Sequence, residues 1–141
     1  MRSKQMRMIK AILIDPFECK VSEVEYDGDD YRAIYLLMSH PAHPVDRFTT
    51  ARVEFLKGED ALFVDNQGLF KSSERFFQIA GGYQTFAGKG LIIGADDKGE
   101  SQSRKTSVDL VRASVLFLER GFGNRLVQVL GHGGILFRSR A

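Results

Sequence analysis

The run from Met8 to Ile14, MIKAILI, constrains the fold more than any other stretch. It is apolar apart from Lys10, rich in β-branched residues and shut off by Asp15 and Pro16. That length suits a buried strand better than a helix, and it is far short of the roughly 20 apolar residues that cross a bilayer. The basic residues ahead of it imitate the start of a signal peptide, but Lys10 interrupts the run and it ends too soon for export. A soluble, cytoplasmic protein is therefore expected. Cys19 is the single cysteine, so no disulfide closes within the chain, and a reducing compartment is favoured.

Residues 19–26, CKVSEVEY, alternate imperfectly and predict a second strand that pairs with the first as a hairpin, with one solvated face or a bulge. After the acidic turn Asp27-Gly28-Asp29-Asp30, the residues Tyr31, Ile34, Tyr35 and Met38 fall on one helical stripe. Asp29 or a neighbour caps that helix, and Pro41 and Pro44 stop it. Ala51, Val53 and Phe55 alternate with charged residues and predict a strand, joined by the turn 57–60 to another over 61–65. The turn at 66–68 returns the chain through Leu69 and Phe70, ERFFQI at 74–79 makes a short strand, and GLIIG at 90–94 a central one. Residues 95–105 are polar and read as a surface loop.

A second helix is signalled by the capping-box spacing of Thr106 and Asp109, by a stripe of Val108, Val111, Val115 and Leu118, and by Gly121 as a left-handed C-terminal cap. Beyond it, apolar residues flank Gly131-His132-Gly133-Gly134 as in an edge hairpin or an extension. The expected architecture is α+β: an antiparallel or mixed sheet of five to seven short strands with two helices on one face. Residues 1–7 form a basic arm, 8–120 a single domain and 121–141 a basic hairpin or extension. With 43% apolar residues in 141, such a chain can bury about two thirds of its unfolded surface and needs no staple.

The net charge of +2 conceals an uneven distribution. Residues 1–10 and 120–141 carry four bases each and no acid, which leaves 12 bases against 18 acids between them, a body of −6. Nucleic-acid binding is open only through the ends, by Arg2, Lys4, Arg7, Arg138 and Arg140. Arg75-Phe76-Phe77 could stack bases but stands alone.

The segments KAILIDP at 10–16, the acidic turn and helix at 27–38, LFVDNQGLF at 62–70 and AGKGLIIGADDKGES at 87–101 together resemble a group of small uncharacterised phage and prophage proteins. The resemblance covers residues 8–118. It implies a phage-related context and an α+β domain, and it supplies no catalytic residues.

The glycines around Lys89 invite a phosphate-loop reading, but Tyr83 stands where the first glycine belongs and Gly90 where Ser or Thr would hold magnesium. Gly88, Gly90 and Gly94 are also one residue too widely spaced for a dinucleotide fingerprint. They are read as turns at both ends of a buried strand, with Tyr83 and Lys89 as candidate ligand contacts. Asp96, Asp97 and Glu100, like Asp27, Asp29 and Asp30, offer oxygens without a calcium-loop pattern, and Asp96 and Asp97 join the ligand candidates. His40 and His43 lie in the extended HPAHP segment, where a solvent-exposed loop is expected and helical convergence on zinc is not. Cys19 reads as a structural thiol and His132 as turn filler. Six phenylalanines between residues 55 and 86 mark either the main core or a partly exposed apolar patch, with core expected.

No catalytic set, metal site or cofactor is implied. The expectation is a non-enzymatic, phage-related accessory protein that binds a host protein or a small nucleotide-like ligand, with counter-defence as one version and a homodimer open. The alternatives are a metal-dependent enzyme using the acidic loops and nucleic-acid binding through the basic termini.

Overall fold

The computed structural model describes residues 7–67, 74–82, 84–121 and 125–129, which form ten strands and two helices. The first run becomes β1 (Met8–Asp15) and pairs along its whole length with β2 (Lys20–Asp27), from Met8↔Asp27 to Asp15↔Lys20, without a bulge. Beside β1 lies β7 (Gly90–Ala95), then β4 (Ala61–Asp65) and β3 (Phe48–Ala51), with β8 (Ser101–Gln102) paired to the end of β7. A second sheet orders β10 (Leu126–Val129), β9 (Val115–Arg120), β5 (Arg75–Ile79) and β6 (Thr85–Ala87). Every pairing is antiparallel.

The two-residue side-chain period of a strand divides the core. Ile12, Ile14, Leu62, Val64 and Ile92 leave one face of the larger sheet and meet Phe77, Ile79 and Phe117 of the second sheet. Ile9, Ala11, Leu91 and Ile93 leave the other face and meet Ile34 and Met38 of α1 (Tyr31–Met38). The central strand β7 is therefore buried on both sides, which explains its continuous apolar run. Truncating Ile92, which is fully buried, would cost about 2–5 kcal/mol, because the cavity left behind adds to the lost transfer energy.

The α+β class is observed, with two departures from the expected layout. The strands divide into two sheets of six and four, and the helices lie on opposite faces of the larger sheet rather than on one. Val111 of α2 (Val108–Ser114) joins the core between the sheets, whereas α1 covers the far face. The second helix is also much shorter than its stripe suggests. Its cap is Ser107, whose Oγ accepts from Leu110 N at 3.3 Å, while Thr106 is fully buried and donates through Oγ1 to Asp60 at 2.7 Å. After Ser114 the chain extends into β9, because Val115 to Glu119 find partners along β5. Gly121 serves the next hairpin, donating to Arg125 O at 2.6 Å.

β3 also lies nearer the N-terminus than the alternation of residues 51–55 predicts. It pairs Phe48↔Asp65 to Ala51↔Leu62, and Val53, Phe55 and Leu56 leave the ladder to pack against the core. Asp60 fastens this connection to the start of α2, accepting from the backbone N–H groups of Lys105 and Thr106 as well as the Thr106 hydroxyl. Phe76, Phe77 and Phe86 are buried, as expected for core; the return through Leu69 and Phe70, the glycine-rich hairpin and His132 lie outside the described residues. Among the described residues no helix is long and apolar enough to cross a membrane.

Candidate functional site

Antiparallel pairing fixes which residues share an end of the larger sheet. Ile14 pairs with Gly90, so Asp15, the last residue of β1, stands opposite Lys89 at the entry to β7. Asp65 closes β4 at this same end, two residues beyond the last paired position, Phe63↔Leu91. Asp15, Asp65 and Lys89 share strand phase with Leu13, Phe63 and Leu91, which puts all three on the face that α1 covers. The loop leaving α1 adds His40 and His43 to them.

Two pairs result. His43 Nε2 lies 2.8 Å from Asp65 Oδ2, and both side chains are 1% exposed. The other oxygen of Asp65 accepts from Gln67 N at 3.0 Å. His43 Nδ1 is buried with no hydrogen-bond partner among the described residues. Lys89 Nζ lies 3.6 Å from Asp15 Oδ2, with side chains 15% and 12% exposed, while Asp15 Oδ1 accepts from Phe17 N and Glu18 N. Gly88 joins the two pairs: its φ is +79°, and a Cβ there would sit 2.7 Å from His43 Cδ2. Only a residue without a side chain lets the imidazole pack so closely on this turn. The histidine segment is thus no solvent-exposed loop at His43, because Asp65 gives the imidazole a partner that survives burial.

The β1 to β2 turn covers this end. The Phe17 ring stacks on His40 at 3.8 Å between centroids, and His40 Nδ1 accepts from Ala42 N at 3.0 Å. Cys19 holds a left-handed φ of 52°, and Arg75 reaches in to donate to Pro16 O at 3.2 Å, with its Nη1 3.9 Å from the thiol. Burial pushes the Cys19 thiol above its usual range, outweighing the Arg75 guanidinium, which pulls it down. The thiol is half-buried in this turn.

Chemically, a buried His–Asp pair with an adjacent Lys–Asp pair orders a loop strongly. A substrate would have to displace the loop to reach His43, since the imidazole has no open side.

The second feature of note is the outer side of α1. Asp30 caps the helix, accepting from Arg32 N at 3.1 Å, and Ile34 and Met38 turn inward. Leu36 lies on the opposite side, 77% exposed, while Tyr31, the first residue of the helix and on the inward stripe, is 70% exposed. Tyr35, Leu36 and Val45 form the apolar part of a cleft of about 570 Å³ rimmed by Asp30, Arg32 and Asp46.

Comparison with protein-family models, with curated proteins and with solved structures finds no match for the chain.

Of the ligand candidates named from sequence, Lys89 joins the cluster just described, and Tyr83 lies outside the described residues. Asp96 and Asp97 fall at the opposite end of β7. Asp96 Oδ1 accepts from Lys98 N and Glu100 N, and Gln102 Nε2 reaches its Oδ2 at 3.3 Å, so its carboxylate shapes a turn. These backbone donors hold its pKa below the usual carboxylate range, against a smaller upward push from burial. Asp97 is exposed. Among the described residues no three His, Cys, Asp or Glu side chains converge as metal ligands would. Arg7 donates to Ser101 O at 2.6 Å and pairs with Asp29 at 3.2 Å; Arg2, Lys4, Arg138 and Arg140 lie outside the described residues. Sequence reasoning missed Asp15 and Asp65. The available signal was their place as the first acids after the apolar runs AILI and LFV, where a strand ends.

Proposed function

We propose that the protein acts by binding another protein, with the outer side of α1 as the contact surface. The observation that carries this reading is Leu36, 77% exposed in the wall of the 570 Å³ cleft, with Tyr31, 70% exposed, at the start of the same helix. A single exposed leucine is ordinary, but one that lines an apolar hollow together with Tyr35 and Val45 suits the centre of an interface. Asp46 at the rim has no ion-pair partner among the described residues, and the body of the chain is acidic, so a partner presenting an apolar anchor next to a base fits best. The resemblance to phage and prophage proteins supports a bacterial host protein in that role, and counter-defence as the setting. The buried charges at the loop end of the sheet serve the surface indirectly, by fixing the segment that carries Val45 and Asp46.

The test is affinity capture from bacterial lysate with the full chain and with Tyr31→Ala combined with Leu36→Asp. Both side chains are exposed, so the double variant should melt like the parent. The parent should retain a partner that the variant loses. A parent that captures nothing, or a variant that captures the same protein, would overturn the reading. A solution mass of two copies that falls to one in the variant would identify the partner as a second copy of the chain.

A further inference from the structure

The geometry points to a separate small-molecule site, a cavity of about 490 Å³ between the β3 to β4 connection and the β5 to β6 turn, that takes a nucleobase-bearing ligand. This site lies on the opposite side of the larger sheet from α1, since Ile79, Phe86 and Phe55 on its walls belong to the core between the two sheets. Its volume falls in the range of roughly 300–1,000 Å³ typical of ligand pockets.

The walls divide by chemistry. Ile79 and Phe86 are buried core residues whose edges form the floor, and Phe55 stands half-buried beside them. Around this apolar floor stand Arg52, Glu54 and Gln84, all exposed, and none has a hydrogen-bond or ion-pair partner among the described residues. Three polar side chains therefore stand around this apolar floor without a protein partner among the described residues.

The donors and acceptors narrow the ligand class. A planar heteroaromatic ring satisfies the phenylalanines by stacking or edge contact, as bases do on aromatic side chains. Glu54 accepts from a ring N–H or an exocyclic amine, Arg52 donates to a carbonyl or a phosphate, and the Gln84 amide does both. A purely apolar ligand would leave these three groups unused. Gly81 in the same turn holds a φ of +84°, which suits glycine.

The experiment titrates the full chain with adenosine, guanosine, cytidine, uridine and their monophosphates, with indole as an apolar planar control, followed by amide NMR shifts. At least one nucleoside or nucleotide should bind saturably, with the shifts centred on Gly81, Gly82 and Gln84. Ala80→Trp, at an exposed position on the rim, should weaken binding at least tenfold, and Glu54→Gln should change the preference among bases while leaving the melting temperature unchanged. A monophosphate preferred over its nucleoside, with the preference lost in Arg52→Gln, would assign the phosphate to Arg52. Indole binding as tightly as every nucleoside, absence of any binding at millimolar concentration, or equal binding by Ala80→Trp would each overturn the proposal. None of these outcomes depends on the α1 surface, so the two readings fail separately.

Discussion

The two ends of the larger sheet handle charge in opposite ways. At the loop end, Asp15, Lys89, His43 and Asp65 come from four separate segments and are paired under the α1 loop, with exposures of 15% or less. At the other end, Asp96 and Asp97 sit side by side in one solvated turn, and the Arg7–Asp29 pair is 37% and 46% exposed. An exposed pair like the second contributes about 0–1 kcal/mol, since water screens both charges. A buried pair gains little overall from being formed but costs several kcal/mol to break, because the surviving partner is left without solvent or counter-charge. The buried end should therefore dominate stability, and the exposed end should tolerate change.

The largest expected effect follows from removing Asp65. Asp65→Ala strands His43 in the core and releases Gln67 N, and should destabilise the protein by about 3 kcal/mol. At a few degrees per kcal/mol for a chain of this size, the melting temperature should fall by about 10 °C, whereas Asp97→Ala should move it by about 1–2 °C at most. Equal melting temperatures in the two variants would erase the distinction between the ends.

A glycine pair sharpens the same comparison. Gly88 and Gly99 both have φ near +80°, but a Cβ at Gly88 would meet His43, and one at Gly99 would meet nothing within 4 Å. Gly99→Ala should cost only the left-handed backbone penalty, about 1 kcal/mol, and Gly88→Ala at least twice that. Chemical denaturation of the two variants measures the difference, and parity would show that the His43 contact contributes nothing.

Smaller effects concern titration. Because burial raises the Cys19 thiol, its alkylation by iodoacetamide at pH 8 should be slower than that of a free thiol and should keep climbing through pH 9. A plateau near pH 8 would place the Arg75 charge ahead of burial. A raised thiol contributes stability that is full below its unfolded value and is lost as pH rises through the folded one. Asp96 works the other way: its lowered carboxyl stabilises above the unfolded carboxylate value and ceases to as pH falls through the folded one. Carboxyl-carbon NMR should find Asp96 titrating below the usual carboxylate range, and a midpoint within or above that range would remove the backbone hydrogen bonds as the cause.

How much of this was legible depended on how local the physics was. β1, β5 and β7 announced themselves as short apolar runs, and α1 by its spacing from Tyr31 to Met38, because each element's burial follows from its own residues. The second helix was overextended because Val108, Val111, Val115 and Leu118 satisfy a helical stripe, while the force that draws Val115 to Glu119 into a strand is pairing with β5, some 40 positions earlier. The polar cluster was harder still. Asp96 and Asp97 stand out by adjacency and turn out to shape a turn, whereas Asp15, His43, Asp65 and Lys89 meet only after the strand order is known. Lys89 was noticed for its glycines, which matter because one of them makes room for an imidazole.

The most direct test of the account uses photo-crosslinking from the full chain in bacterial cells, with a benzophenone side chain placed at position 36 on α1 or at position 97 in the exposed turn. A discrete protein adduct is expected from position 36 and none from position 97. No adduct from position 36, or the same adduct from both, would contradict it.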